Sequence, residues 1–248
     1  MNLQKFFSRH PRAAVAFSGG VDSAYLLYAA KKYGEKVCAY YVKSEFQPRF
    51  ELEDAVRLAA GLDAELKILE LEVLSAPCVK ENPSDRCYHC KRAIFSAIME
   101  AAKEDGFPVL LDGTNASDDA SDRPGMKALQ ELSVLSPLRE CGLTKAKIRT
   151  LSKEAGLFTW DKPAYACLAT RLPTGEGITP EKLAAVEAAE DFLFSLGFTD
   201  FRVRTRNGSA KLQLREAQWP LLLKHREAIL EKLREYYTAA VLDLEVRE

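Results

Sequence analysis

The chain has almost no net charge, no long apolar run and no repeat. Its 35 basic residues face 36 acidic ones for a net of −1. Such balance carries no global signature of nucleic-acid or polyanion binding and leaves only a local patch for that role. No apolar run approaches the roughly 18–20 residues a membrane span needs, and residues 1–10 show no signal-peptide pattern. A cytoplasmic protein with no membrane or nucleic-acid partner is expected. In a reducing compartment its six cysteines stay mostly unpaired, so a close pair reads first as a metal or redox site. At 248 residues and 47% hydrophobic content, the chain has material for one large or two modest cores.

One stretch organises the rest. Ala16-Phe-Ser-Gly-Gly-Val-Asp-Ser23 lies between an apolar run, Ala13 to Phe17, and a helical pattern from about Asp22 to Tyr33. A strand, a glycine turn and a helix start in that order make an anion site, because free backbone N–H groups and the positive helix end converge there. Gly19 and Gly20, followed by Val21, allow close backbone approach, Ser18 and Ser23 offer hydroxyls, and Asp22 suits a helix cap or a Mg²⁺ ligand. The lysine of the G-x-x-x-x-G-K-[ST] phosphate loop is missing. The string SGGVDS instead resembles the pyrophosphate loop (PP-loop) of enzymes that split ATP into AMP and pyrophosphate.

Downstream, strands are expected at Lys36–Val42, Glu65–Leu71, Pro108–Asp112 and Ser133–Pro137. Helices are expected at Arg49–Gly61, Cys87–Asp105 and Thr144–Gly156, the last with Thr144 as N-cap. This alternation predicts an α/β fold with a parallel sheet, its ligand crevice beyond the carboxyl ends of the first and fourth strands. The two loops leaving those strands, Ser18–Ser23 and Asp112–Asp118, are both polar and contain glycine. After a breaker-rich linker over 159–178, a helix (Pro180–Leu196), a hairpin turning at Asn207-Gly208, a second helix (Glu216–Tyr236) and a strand (Ala239–Val246) predict a small antiparallel α+β domain. The boundaries are 1–158 for the first domain, 159–178 for the linker and 179–248 for the second domain.

Cys87-Tyr-His-Cys90 places two thiols one helical turn apart, and Cys167 lies in the linker. Three cysteines suit a zinc ion, with His89 or water, or three corners of a [4Fe-4S] cluster with one iron left open. Cys38 and Cys141 read as packing residues, and Cys78 is ambiguous. Arg202, Arg204 and Arg206 alternate, so they share one face of a strand with Phe201 and Val203 on the other. They and Arg171 suit a phosphate or carboxylate, or simply a solvated face. Asp118, Asp119 and Asp122 are equally a Mg²⁺ support or an ordinary polar loop.

Further stretches narrow the resemblance. They are Ser44-Glu45, Leu111-Asp-Gly-Thr-Asn115, Asp122-Arg-Pro-Gly125, Pro137-Leu138, Leu143 through Arg149, Lys162 through Gly175, and Ala188 through Gly197. Together they resemble the ATP-dependent sulfur transferases of the LarE type, which work in making the nickel-pincer cofactor of lactate racemase. The resemblance covers nearly the whole chain. It implies a PP-loop (adenine nucleotide alpha hydrolase-like) domain followed by a small α+β domain. It also implies adenylation by ATP and Mg²⁺ of a carboxylate of a pyridinium dicarboxylate mononucleotide, then sulfur replacing AMP.

Some members sacrifice the cysteine matching Cys167 and lack the C-x-x-C. This chain has the pair, so it is similar to members that hold a [4Fe-4S] cluster on three cysteines, here Cys87, Cys90 and Cys167. The implied roles are catalysis by Cys167, Asp22 and Glu190, ATP binding by Ser18–Ser23, Ser44, Asp112 and Gly113, and substrate phosphate or carboxylate binding by Arg171, Arg202 and Arg204. A sulfide or other sulfur donor and a homo-oligomer are expected partners. The rival readings are a tRNA thiolase, an amide-forming synthetase fed ammonia by a glutaminase partner, and a non-catalytic AMP/ATP-binding module with a structural zinc.

Overall fold

The computed structural model describes residues 2–118 and 124–245. The expectations for Asp119 and Asp122 lie outside these residues. Two compact units divide the chain: 1–73 with 85–162, and 74–84 with 163–248. Residues 159–162 of the expected linker thus fall in the first unit and 163–178 in the second.

The first unit opens with α1 (Leu3–Arg9), which the sequence reading missed; Asn2 caps it by accepting from Lys5 N. Then come β1 (Arg12–Ala16), α2 (Val21–Tyr33), β2 (Lys36–Lys43), α3 (Arg49–Gly61) and β3 (Glu65–Glu70). After a short helix of the second unit, α4 (Pro77–Lys80), follow α5 (Arg86–Glu104), β4 (Leu110–Leu111), α6 (Pro124–Glu131), α7 (Pro137–Glu140) and α8 (Lys145–Glu154). The strands form one parallel sheet in the order β3-β2-β1-β4.

Alternate residues of β1 supply opposite faces, as a strand's period of two requires. Ala13 and Val15 join Leu26, Leu27, Phe6 and Phe7 on the face covered by α1, α2 and α8. Ala14 joins Cys38, Tyr40, Ile98 and Phe107 on the face covered by α5. Burial pushes the Cys38 thiol up to about 11, in keeping with a packing role.

The expected fifth strand shrinks to a single parallel bridge, Leu135 to Leu111. Ser133 is held at φ 54°, and Pro137 starts α7, so only the residues between them can extend.

In the second unit, α9 (Pro180–Ser195) precedes β5 (Arg202–Arg206), β6 (Ser209–Gln213), α10 (Trp219–Lys224), α11 (Arg226–Leu233) and β7 (Ala239–Leu242). The β5–β6 hairpin turns on Asn207 and Gly208, both left-handed at φ 49° and 73°. Two expectations need correction. The long helix over 216–236 is broken: a 3₁₀ turn precedes Pro220 in the first turn of α10, and His225 stands outside helical geometry between α10 and α11. The sheet is mixed rather than antiparallel, because β7 returns parallel to β6. Its core gathers Leu193, Phe198, Phe201, Val203, Leu212, Ile229 and Leu233. Among the described residues, no helix is long and apolar enough to cross a membrane.

Candidate functional site

In the first unit the loops after β1 and β4 leave adjacent strands and meet. A Cβ on Gly113 would stand 2.9 Å from Ser23 N, so only a glycine lets the β4 loop close on the start of α2. Gly19 takes φ +71°, and a Cβ there would stand 3.2 Å from Glu51 O of α3. The turn is therefore pressed between two neighbours, and both glycines are required by backbone rather than by flexible side chains.

Gly20 is the N-cap of α2 and offers no side chain to cap it. The first N–H groups of the helix are thus left for a ligand. The two serines are less available than the sequence suggests. Ser23 Oγ lies 3.1 Å from Ser18 Oγ, accepts from Ser18 N and donates to Gly20 O at 3.2 Å, so the hydroxyls knit the loop itself.

Asp22 caps nothing, because it sits inside the first turn. Its Oδ2 accepts from Lys145 Nζ at 2.5 Å, while its Oδ1 is buried with no partner among the described residues. Burial raises its pKa, against the opposing pull of Lys145. A buried carboxylate oxygen without a donor suits a hard cation such as Mg²⁺, which takes one or two carboxylates beside phosphate oxygens. Asp118 is charged near it and accepts from Asn115 N at 2.9 Å.

Two other expected nucleotide residues are turned to structural tasks. Asp112 accepts from Ser136 Oγ at 2.6 Å and from Thr114 Oγ1, which ties the β4 loop to the segment after Leu135. Ser44 Oγ donates to Gln47 Oε1 at 2.7 Å and closes the loop after β2.

Cys87 and Cys90 occupy the first turns of α5, the former exposed and the latter buried. Thiolates are favoured at a helix N-terminus, so this pair fits two corners of a metal or cluster site. None of the six cysteines is in a disulfide. Cys167, half-buried, belongs to the second unit. Among the described residues, no three His, Cys, Asp or Glu side chains gather as a ready-made metal set.

Cys167 leads into a 3₁₀ turn, Leu168–Arg171, that the second unit grips from several sides. Arg171 and Glu190 were expected to meet substrate or sulfur; instead they form a buried ion pair, their side chains 0% and 1% exposed. Arg171 Nε and Nη2 each stand 2.9 Å from a Glu190 oxygen. Arg171 Nη1 donates to Ala166 O at 2.7 Å and to Cys167 O at 3.4 Å. Glu190 also accepts from Tyr165 Oη and from Val203 N of β5. Burial opposes the guanidinium's charge, but Glu190 outweighs it and raises the Arg171 pKa.

The arginines of β5 do alternate, yet Arg202 is buried and only Arg206 is exposed. Arg202 donates to Ala164 O and lies 5.1 Å from the Tyr165 ring, while Arg204 donates to Thr170 O at 2.7 Å.

Three residues escaped the sequence reading. Asn82, 2% exposed, donates to Pro173 O at 2.7 Å and accepts from Gly175 N, so a segment far upstream braces the linker. Arg149 holds Trp160 O and Lys162 O at 2.7 and 2.8 Å. Lys145 lies in the first turn of α8, where a cation opposes the helix dipole. That misplaced charge is a signal legible in the sequence.

The family model described as queuosine biosynthesis protein QueC matches residues 12–82. An uncharacterised protein of Synechocystis is 36% identical over 86% of this chain and 80% of its own length. Pyridinium-3,5-bisthiocarboxylic acid mononucleotide synthase of Lactiplantibacillus plantarum is 36% identical over 84% of this chain and 76% of its own. The tRNA-specific 2-thiouridylase MnmA of Thermotoga petrophila is 28% identical over 59% of this chain and 52% of its own. A parallel sheet carrying a glycine loop against an uncapped helix start, and likeness at this level over most of both chains, have one reading: the chain belongs to the LarE family of PP-loop, ATP-dependent sulfurtransferases.

Proposed function

We propose that the enzyme adenylates a carboxylate of pyridinium-3,5-biscarboxylic acid mononucleotide and converts it to a thiocarboxylate, in the cytoplasm. The observation that carries this reading is the likeness, across 84% of the chain, to the synthase of the bisthiocarboxylic product. The chemistry is coherent. A free carboxylate is a poor acceptor for sulfur because its leaving group would be an oxide, and adenylation substitutes AMP as the leaving group.

The start of α2 and the glycine turn bind the triphosphate through backbone N–H groups, with Asp22 offering its unpaired oxygen to Mg²⁺. Gly113 keeps the β4 loop seated on that turn. Arg202 and Arg204 receive the substrate's phosphate or carboxylate beside the segment that carries Cys167. The arginines' present bonds to Ala164 O and Thr170 O hold that segment. Cys87, Cys90 and Cys167 would hold three irons of a [4Fe-4S] cluster, which supplies an open iron where sulfide can reside. Helix α5 presents the first two thiolates at its positive end. In the transfer step the new C–S bond forms as the C–O bond to AMP breaks, and AMP leaves with the electron pair.

The test is anaerobic purification followed by incubation with ATP, Mg²⁺ and the dicarboxylate nucleotide. Expected are AMP, pyrophosphate and a substrate that gains sulfur, from protein containing iron and acid-labile sulfide. Cys167→Ser is expected to keep AMP formation and lose thiolation. Zinc without iron, and no AMP, would support the non-catalytic module; conversion of Cys167 to dehydroalanine would move the sulfur source from cluster to cysteine.

A further inference from the structure

The PP-loop contains no basic residue, yet departing pyrophosphate needs positive charge beyond backbone N–H groups. We propose that Lys145 is that charge: it neutralises Asp22 while the site is empty and transfers to the pyrophosphate moiety of ATP when nucleotide and Mg²⁺ bind. The assignment deepens the adenylation reading above and rests on it.

Four observations support it. Lys145 comes from 123 residues downstream, yet its Nζ stands 2.5 Å from the carboxylate inside the first turn of α2. Its backbone is fixed there: Lys145 N donates to Ser117 Oγ of the β4 loop at 3.0 Å, and Thr144 caps α8 by accepting from Lys147 N. The charged groups acting on Asp22 are Lys145, Asp118 and Arg149. Arg149 is committed to Trp160 O and Lys162 O, which leaves Lys145, among the described residues acting on Asp22, as the cation able to change partner.

Finally, the pair is not closed. Asp22 Oδ1 is buried without a donor, and the Lys145 ammonium has three protons, with Asp22 its partner among the described residues. A Mg²⁺ at Asp22 would take over the charge balance that Lys145 now provides. The ammonium side chain, 35% exposed, then has the freedom to turn to an anion. In the step itself the substrate carboxylate oxygen bonds to the α-phosphorus as the bond from that phosphorus to the bridging oxygen breaks. Pyrophosphate leaves with the electron pair, and Lys145 stabilises the charge it gains.

Lys145→Met separates this role from mere support of Asp22. Titration with magnesium pyrophosphate and with AMP, by calorimetry, reads the two halves of the nucleotide separately. Pyrophosphate affinity is expected to fall about tenfold to a hundredfold, as for loss of a hydrogen bond to a charged group, with AMP affinity changed less than about twofold. Unchanged AMP binding also shows that the variant is folded. If both affinities fall together, Lys145 shapes the loop as a whole and the assignment is overturned; it is equally overturned if neither falls. Failure of the adenylation reading has another signature: wild-type protein would bind pyrophosphate yet form no AMP with the dicarboxylate nucleotide.

Discussion

Asp22 in the first unit is half-buried with its Oδ1 enclosed, Glu190 in the second is fully buried, and the surroundings of the two carboxylates differ. Among the described residues, Asp22 has one lysine on one oxygen and no partner on the other. Glu190 accepts four hydrogen bonds, two from Arg171 and one each from Tyr165 and Val203 N. An unsatisfied buried acceptor costs free energy and persists where a ligand completes it. A saturated one has nothing left to offer a reaction and serves to hold its neighbours. The comparison separates two of the residues expected to be catalytic: Asp22 keeps an oxygen open to a ligand, as the proposed function requires, and Glu190 with Arg171 fixes the turn that carries Cys167.

The sharpest way to break this contrast is at the saturated end. Glu190→Ala would leave the Arg171 guanidinium buried without its partner, and a loss of about 3–5 kcal/mol in the second unit's stability is expected in urea unfolding. Replacing both partners by apolar residues, Arg171→Met with Glu190→Leu, should recover much of that stability. Sulfur transfer should stay impaired, because Ala166 O and Cys167 O lose their donor. Recovery of full thiolation in the double variant would show that the pair does not position Cys167.

At the open end, Gly113→Ala forces a methyl toward Ser23 N. A cost of about 1–3 kcal/mol in stability is expected from overpacking, with weaker ATP binding as the loops part. ATP affinity equal to wild type would mean that contact between the two loops does not matter to the site.

The smallest effect concerns Asp22 itself. Burial raises its pKa above the unfolded value, so between the two values the folded state binds more protons and stability falls as pH rises. At neutral pH the ionised carboxylate therefore destabilises the empty protein. Asp22→Asn is expected to raise the unfolding midpoint at pH 7 while abolishing AMP formation. The gain should vanish below the ordinary aspartate range, where both states are protonated. A variant less stable than wild type at pH 7 would mean that the Lys145 pair outweighs burial.

Much of the first unit was legible because its signals are local. Short apolar runs located β1 and β2, alternation located β3, and the Thr144 cap and the Gly19–Gly20 turn act within a few residues. The single bridge at Leu135 was over-read as a strand, since Ser133 and Pro137 limit it through backbone conformation rather than hydropathy. The break at His225 and the parallel return of β7 were illegible for a related reason. Helical spacing runs smoothly through 216–236, and strand direction depends on where the chain re-enters the sheet. At the site, Lys145, Arg149 and Asn82 carried no assigned role, and several residues that were named have partners the sequence did not show. Arg171, Glu190, Ser44 and Asp112 are the residue types a ligand site uses, and only their hydrogen-bond partners show them occupied with structural work.

By itself, the sequence determined the order of strands and helices, the glycine turn before α2, the spacing of Cys87 and Cys90, and the resemblance that narrows the family. Each depends on neighbours in the chain. Only the tertiary structure decided that Lys145 faces Asp22, that Arg171 spends its charge on Glu190, and that Asn82 braces the Cys167 segment. Those pairings join residues 19 to 123 positions apart. Hydrogen bonds and ion pairs act over a few ångströms, so partners remote in sequence are settled by the fold that brings them together.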